Sequence, residues 1–331
     1  MAANTMRFAS FNLYNLVLPG ETYYEDREYS RADYDRKTDW IARQLDRMDA
    51  GVIGFQEVFH SAALLEAVHQ SGMTDAALWV KGDGGTYPVV GLASRYPVLG
   101  EAESIASIPE AARFSLEAES PAIDSFSRPI LRATINLPEI GPTRFYVVHL
   151  KSKRGEYLED ESSDNHLHRA KASARALFRR TVEAVGLRQL LLEDLAGSNT
   201  PVVVLGDLND EATAVTSSIV AGDQPWRFDP LEKKEPFFDR ALYNVMDFQA
   251  RRSLGVDQYT YIYNGYHQSL DHVFVSREFD AANPNHKAKV EYVRVFNDHL
   301  IDRMLSSERV PSWQSDHAQV VATIRPGGRN R

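Results

Sequence analysis

The amino-acid sequence predicts a layered α/β fold, with sheet at the centre and helices outside. Three observations carry that expectation. Short apolar or alternating runs of strand character recur along the whole chain. A few longer stretches place apolar residues at helical spacing, and each stands between strands. Most connections are of hairpin length, and neither an internal repeat nor a low-complexity linker interrupts the 331 residues, so one domain over 1–331 is expected.

The elements follow in order. "MRFASFNL" (6–13) reads as the opening strand. The next stretch, 33–50, is a helix with Tyr34, Lys37, Trp40, Ile41, Leu45 and Met48 near helical spacing. "GVIGFQEV" (51–58) is an apolar strand whose end carries Glu57, and 61–72 is a short helix stopped by Gly72. Strands are expected near 89–95, 129–137 and 143–152, and a long helix over 166–196. The acidic stretch "EYLEDESSDN" (156–165) reads as a mobile loop. "VVVLGDLND" (202–210), with Pro201 in front, is a buried strand with Asp207 and Asn209 at its exit and Asp210 in the turn. An irregular stretch, 211–258, precedes strands at 259–264, 270–276 and 318–324.

Composition narrows the chemistry. With no cysteine, disulfides, thiolate metal sites and cysteine nucleophiles are all excluded. A net charge of −9 argues against a broad basic footprint for long nucleic acid, because such binding rests on neutralising phosphates. It leaves room for a locally basic cleft that takes one phosphodiester at a time. The start, "MAANTMRFAS", lacks the basic and apolar segments of a signal peptide, and no apolar run approaches the roughly 20 residues of a membrane helix. A cytoplasmic protein without a membrane span is expected.

Polar residues recur at strand ends: Asn12, Glu57, His149, Asp207 with Asn209, Asp271, and Asp316 with His317. Singly, each is an ordinary turn former or cap. Together they supply what metal-assisted attack on phosphorus requires. Mg²⁺ or Mn²⁺ takes carboxylate oxygens, a water needs a base, and the transition state needs donors to the phosphoryl oxygens.

"FNLYN", "GFQEV", "VVHLKS", "GDLND", "LDHVFVS" and "SDHAQVV" occur in the order seen in the endonuclease/exonuclease/phosphatase superfamily, which the chain resembles from about 6 to 324. The resemblance implies a four-layer α/β sandwich: two packed, mostly antiparallel sheets flanked by helices, with the site where strand ends and loops meet. It implies metal-dependent hydrolysis of a phosphate ester by in-line attack of an activated water. Glu57 matches the principal metal-binding glutamate, and Asn12 the asparagine that orients the metal site. His149 looks like the histidine on the scissile phosphate. Asp207 and Asn209 match a pair in which the acid positions the water or a metal and the amide donates to the phosphate. Asp316 and His317 match the closing motif, Asp316 on the metal and His317 held by Asp271. Arg128 resembles a phosphate-binding arginine, against the alternative of a surface arginine before Pro129. Asp207 and the Asp271–His317 pair both remain open as the base.

A phosphodiesterase or nuclease is the leading reading, with nucleic acid as one substrate and no protein partner inferred. A phosphomonoesterase or lipid-head-group phosphoesterase is the alternative, and a catalytically silent phosphate- or metal-binding protein the remote one. The abasic-site branch has an aspartate where this chain has Tyr14, and the inositol-phosphatase signature needs a cysteine, so neither specialised activity is expected.

Several residues compete with this set. Asp298–His299 precedes Leu300, Met304 and Leu305 at helical spacing, so His299 is read as a helix-start residue. His272 alternates with Asp271 and should face away. His166 and His168 are two apart on a helix and share no face, so the zinc reading gives way to a helix capped by Ser163 or Asp164. Lys151, Lys153 and Arg154 are candidates for a phosphate-binding rim. Arg169, Lys171, Arg175, Arg179 and Arg180 read as the wet face of the long helix. Tyr259, Tyr261 and Tyr263 share one strand face, suited to core packing or to stacking on a ring.

Overall fold

The computed structural model describes residues 5–327 apart from 25, 82–84, 116–121, 254–257 and 308–309. The chain runs β1 (Met6–Leu16), α1 (Arg31–Met48), β2 (Val52–Val58), α2 (Ser61–Gln70), β3 (Ala77–Val80), β4 (Val89–Ser94), β5 (Val98–Ser107), β6 (Ser125–Leu137), β7 (Gly141–His149), α3 (His166–Leu195) and β8 (Val202–Asp207). It continues through α4 (Val215–Ala221), α5 (Leu231–Phe238), β9 (Leu242–Asn244), α6 (Val245–Ala250), β10 (Tyr261–Tyr263), β11 (Tyr266–Gln268), β12 (Asp271–Ser276), β13 (Ala288–Phe296) and β14 (Gln319–Pro326).

Two six-stranded sheets result, in the orders β13-β14-β1-β2-β4-β3 and β5-β6-β7-β8-β12-β9, and β10–β11 is a separate hairpin. Among the described residues only β1–β2 and β7–β8 pair in parallel; the other pairings are antiparallel.

Strand alternation builds the layers. On β8, Val203 and Leu205 join Phe8, Val52, Leu131 and Val147 in a core between the sheets. Val202 and Val204 point the other way, against Val182, Leu187 and Leu191 of α3. On the far side, Phe11, Ile53 and Phe55 meet Trp40, Ile41 and Leu45 of α1 and Leu64 of α2. Helix, sheet, sheet, helix is the four-layer sandwich that the resemblance implies. Gly54 sits where the sheets approach closely: a Cβ there would lie 2.8 Å from the Leu205 Cβ.

Five strands escape the sequence pattern: β11 of the hairpin, and β13, β3, β5 and β9, the edges of the two large sheets. An edge strand with a solvated face needs few apolar residues, and β5 shows it, with most of its residues exposed or half-exposed. The stretch 211–258, read as irregular, contains α4, α5, β9 and α6. The helix expected after His299 does not form; Met304 and Leu305 lie on an exposed turn. Asn165, and neither Ser163 nor Asp164, caps α3, accepting from the N–H groups of Leu167 and His168. The 156–165 loop is fastened to α3 by Glu161–Arg175 and Glu156–Arg179 ion pairs.

Candidate active site

Strand register assembles the polar residues. His149, at the end of β7, lies directly opposite Asp207 at the end of β8, which lies opposite Asp271 at the start of β12. Three chemistry-bearing side chains thus stand abreast on neighbouring strands of one sheet. Gly206 makes the approach possible: a Cβ there would fall 2.1 Å from the Val148 carbonyl oxygen.

The other sheet contributes from across the gap. Asn12 on β1 donates from Nδ2 to Asp207 Oδ2 at 3.1 Å, and its Oδ1 accepts the N–H of Tyr14. Glu57 accepts the N–H of Asn15 at 2.9 Å. The Ser315 hydroxyl donates to the Asn12 carbonyl and accepts the N–H of His317, so the segment before β14 is tied to β1.

The strands leave their ladders where these groups emerge. Tyr14, Asn15, Glu57 and Asn209 have φ of 52°, 59°, 61° and 54°, in the left-handed region that non-glycine residues rarely occupy. Register breaks in β1–β2 between Asn12 and Leu16, and in β2–β4 between Phe55 and Val58, coincide with them.

His317 Nδ1 donates to Asp271 Oδ2 at 2.8 Å and lies 3.9 Å from Asp207 Oδ2. Burial alone would lower its pKa, but the charge and hydrogen bond of Asp271, with Asp207 and Asp316, outweigh burial and raise it well above the usual histidine value. Asp207 is raised by burial and by the charge of Asp271. Burial and the neighbouring Arg128 and His317 push His149 well down, so it is neutral, 3.5 Å from Asp207 Oδ2. Asp316 is raised to about 6, chiefly by burial, with Glu57 adding to the shift.

The site opens into a cleft of about 1260 Å³ that Glu57, Arg128, His149, Asp207, Asn209, Asp316 and His317 all line. Asn12 and Asp271 lie behind it, fully buried. Asn209 donates its backbone N–H to Asp207 Oδ1 at 2.7 Å and its side-chain amide to the Leu150 carbonyl. Arg128 donates to that same carbonyl at 3.2 Å.

The donors fit a hard divalent cation. Carboxylate and amide oxygens predominate, and the buried oxygens Asn15 Oδ1 and Asp316 Oδ1 have no hydrogen-bond partner among the described residues. Glu57 is near enough for its charge to act on both Asp207 and Asp316. The tightest grouping of potential ligand atoms among the described residues is Asp207, Asp271 and His317, all within 4.8 Å of one another. In it the Asp271–His317 hydrogen bond already occupies one face.

Two site residues were not singled out from the sequence. Asn15 lies in the quoted "FNLYN" but carries no pattern of its own. Lys37 is fully buried beneath the β1 loop, where Nζ donates to the carbonyls of Tyr14 at 2.8 Å and Ser312 at 3.2 Å. Burial lowers its pKa to about 7 against the raising effect of Glu57 and Asp316. Its place on the apolar face of α1 was the signal, since a lysine there needs buried acceptors.

His272 points away, donating from Nε2 to the Asp210 carbonyl. His299 is a support, its Nε2 donating to the His317 carbonyl at 3.0 Å. His166 pairs with Arg169, and His168 accepts the Ser162 N–H. Arg180 is not on a wet face: it is 4% exposed and pairs with Asp210 at 2.8 Å, so Asp210 is an anchor as well as a turn residue. Lys151 turns inward to the Arg154 carbonyl, while Lys153 and Arg154 line the cleft.

The model of the Endonuclease/Exonuclease/phosphatase family matches residues 9–317. The chain belongs to that family. Members of this endonuclease/exonuclease/phosphatase family are hydrolases of phosphoester bonds and generally depend on metal. No curated protein sequence matches the chain closely enough to count as a relative. Solved structures share the fold. An endonuclease/exonuclease/phosphatase from Beutenbergia cavernae DSM 12333 is 17% identical with TM-score 0.53, over 98% of this chain and 72% of that one. D. rerio TDP2 complexed with a single-strand DNA product is 14% identical with TM-score 0.55, over 97% and 99%. The Bacteroides thetaiotaomicron VPI-5482 mannosyl-6-phosphatase is 15% identical with TM-score 0.55, over 98% and 100%. Among the described residues no helix is long and apolar enough to cross a membrane.

Proposed function

We propose that the protein is a Mg²⁺- or Mn²⁺-dependent phosphodiesterase, acting as one domain. The observation that carries this is the alignment of His149, Asp207 and Asp271 on adjacent strand ends, with His317 hydrogen-bonded to Asp271 at 2.8 Å. Glu57 and Asp316, with Asn12, Asn15 and Asp207 around them, would hold the cation, whose charge polarises the phosphoryl group when bound. Asp207, fixed by Asn12 and by the Asn209 N–H, accepts the proton of the attacking water on its carboxylate. His317, kept as an imidazolium by Asp271, donates from Nε2 to a phosphoryl oxygen. Neutral His149 offers a second donor, and Arg128 adds positive charge at the cleft wall. A cleft of about 1260 Å³ exceeds the roughly 300–1,000 Å³ of ordinary small-ligand pockets, which favours a diester with groups on both sides over a compact monoester.

The test is hydrolysis of bis-p-nitrophenyl phosphate, p-nitrophenyl phosphate, plasmid DNA and RNA, with Mg²⁺, Mn²⁺ or EDTA. Turnover should need metal, favour diesters, and be lost in Asp207→Ala and His317→Ala. Unchanged rates in both variants would show that the site is elsewhere. Preference for the monoester would overturn the diester assignment.

A further inference from the structure

One wall of the cleft is not used by this chemistry. Tyr261 and Tyr263 alternate onto one face of β10, with rings nearly parallel at 12° and centroids 6.5 Å apart. The Tyr261 ring lies 4.8 Å from the imidazole of His317, and Tyr263 is 58% exposed. A row of rings thus runs outward from the proposed catalytic histidine and ends on an uncovered aromatic face within the cleft. Tyr259, the third tyrosine of the run, is taken up by stacking on His267 at 4.3 Å.

The hairpin that carries this row is bolted to the catalytic strands. The buried Thr260 hydroxyl accepts the N–H groups of Leu270 and Asp271, at 2.9 and 3.1 Å, and its carbonyl accepts the N–H of Ala318 at 2.7 Å. Asp271 and Ala318 flank the machinery directly, one holding His317 and the other following it. The rings are therefore fixed relative to the reacting phosphate. β10–β11 belongs to neither six-stranded sheet, and Tyr263 contributes to none of the three buried cores, so the sandwich does not need it. Beyond the rings, Lys153 Nζ donates to Gln268 Oε1 at 3.4 Å, placing a cation at the end of β11. Arg154 lines the same cleft.

We propose that Tyr261 and Tyr263 form a base-stacking subsite, so that the preferred substrate is a nucleotide phosphodiester whose nucleobase lies on these rings while Lys153 and Arg154 meet its next phosphate. The proposal deepens the phosphodiesterase reading and rests on it. An aromatic face tolerates any base, because every base presents a π surface, and such stacking is worth about 1–3 kcal/mol per base. Two cations at the rim, on a chain of net charge −9, suit one or two phosphates and not a long duplex.

The test uses two diesters with the same leaving group, thymidine 5′-(p-nitrophenyl phosphate) and methyl p-nitrophenyl phosphate. The wild type should favour the thymidine ester by about tenfold in kcat/KM, the low end of that stacking energy. Tyr263→Ala should lose this preference through KM and leave the methyl ester unchanged, and Tyr263→Trp should restore it. Equal handling of the two esters by the wild type, or equal losses on both in Tyr263→Ala, overturns the subsite. A second arm needs no turnover: in EDTA, labelled tetrathymidylate should bind about tenfold more tightly than its abasic counterpart, and Tyr263→Ala should erase the difference. Base-dependent binding without hydrolysis would sink the phosphodiesterase reading and keep the subsite. Hydrolysis without base dependence would do the reverse.

Discussion

Replacing Lys37 with methionine keeps the length of the side chain and removes its charge and its donors. Two part-buried carbonyls, of Tyr14 and Ser312, lose the ammonium, and the Tyr29 hydroxyl, which also reaches both, is left to donate to them. A single hydroxyl proton can satisfy one of the two, so the loss is that of one unpaired acceptor, about 1–3 kcal/mol. Against it stands the burial penalty of the ammonium itself. A pKa lowered from 10.5 to about 7 corresponds to about 5 kcal/mol of disfavour for the charged form. The two effects oppose each other, and Lys37→Met should change unfolding stability by no more than about 4 kcal/mol in urea. The site should suffer far more. Without the ammonium, the Tyr29 hydroxyl alone bridges the Tyr14 and Ser312 carbonyls, and the Asn15 N–H that holds Glu57 is adjacent to Tyr14. The expected outcome is at least an about tenfold weaker Mn²⁺ affinity by calorimetry, a loss of about 1.4 kcal/mol, with a parallel rise in the metal concentration for half-maximal hydrolysis. Lys37→Arg, which keeps charge and donors, should recover part of it. A variant destabilised by more than about 5 kcal/mol with metal affinity unchanged would refute the reasoning, since Lys37 would then serve the core and not the site.

Three further outcomes are expected. Asp271→Asn removes the charge that raises the pKa of His317, so the imidazolium should be lost at lower pH. The alkaline limb of kcat/KM should therefore move to lower pH, and a limb that stays in place would remove His317 from the assigned role. Gly206→Ala sets a methyl group against the Val148 carbonyl at 2.1 Å, so β7 and β8 must separate where His149 faces Asp207. Hydrolysis should fall steeply, and wild-type kinetics in a folded Gly206→Ala protein would contradict this. Arg180→Met leaves the half-buried Asp210 carboxylate without its 2.8 Å partner. The Thr216 hydroxyl and Lys153 still reach that carboxylate, so a loss of about 1–3 kcal/mol in unfolding free energy is expected, and one below about 0.5 kcal/mol would mean that the pair is screened as on a surface.

Much of the architecture could be read in advance because burial writes itself into sequence. β8 and β12, paired on both sides and covered on both faces, carry the unbroken apolar runs Val202–Leu205 and Val273–Val275. The edge strands were harder to read for different reasons: β5 has a solvated face that relaxes the demand for apolar residues, while β3 and β9 are only four and three residues long. Arg180 and Lys37 show the limit within helices. Spacing says which face a residue occupies, but the buried partner that makes a charge tolerable there, Asp210 or the Tyr14 carbonyl, is distant in sequence. The motifs located Asn12, Glu57, His149, Asp207, Asp271 and His317. The bridge from Asn12 on one sheet to Asp207 on the other is a product of sheet packing, which no local pattern encodes.

The distribution of strain explains why so much of the surrounding structure is devoted to holding these loops. Tyr14, Asn15, Glu57 and Asn209 are half of the eight described non-glycine residues with positive φ. Each such residue costs about 1–3 kcal/mol and persists when its surroundings over-determine it. Here every one is restrained. Asn12 Oδ1 holds the Tyr14 N–H, Glu57 and Asn15 hold each other, and Asp207 Oδ1 holds the Asn209 N–H. The left-handed turn at a strand end interrupts the regular alternation and brings carboxylate and amide groups to the cleft within a few residues of the apolar core. A regular strand would send alternate side chains into the core or onto a helix. The same restraints explain how several buried charged groups coexist, since a carboxylate is tolerated there when hydrogen bonds and opposite charges are fixed around it before substrate arrives. Loosening any one restraint should therefore weaken metal and phosphate binding before it unfolds the sandwich, because the cores hold the residues on either side, Leu13, Leu16, Val58 and Leu208, independently of these bonds.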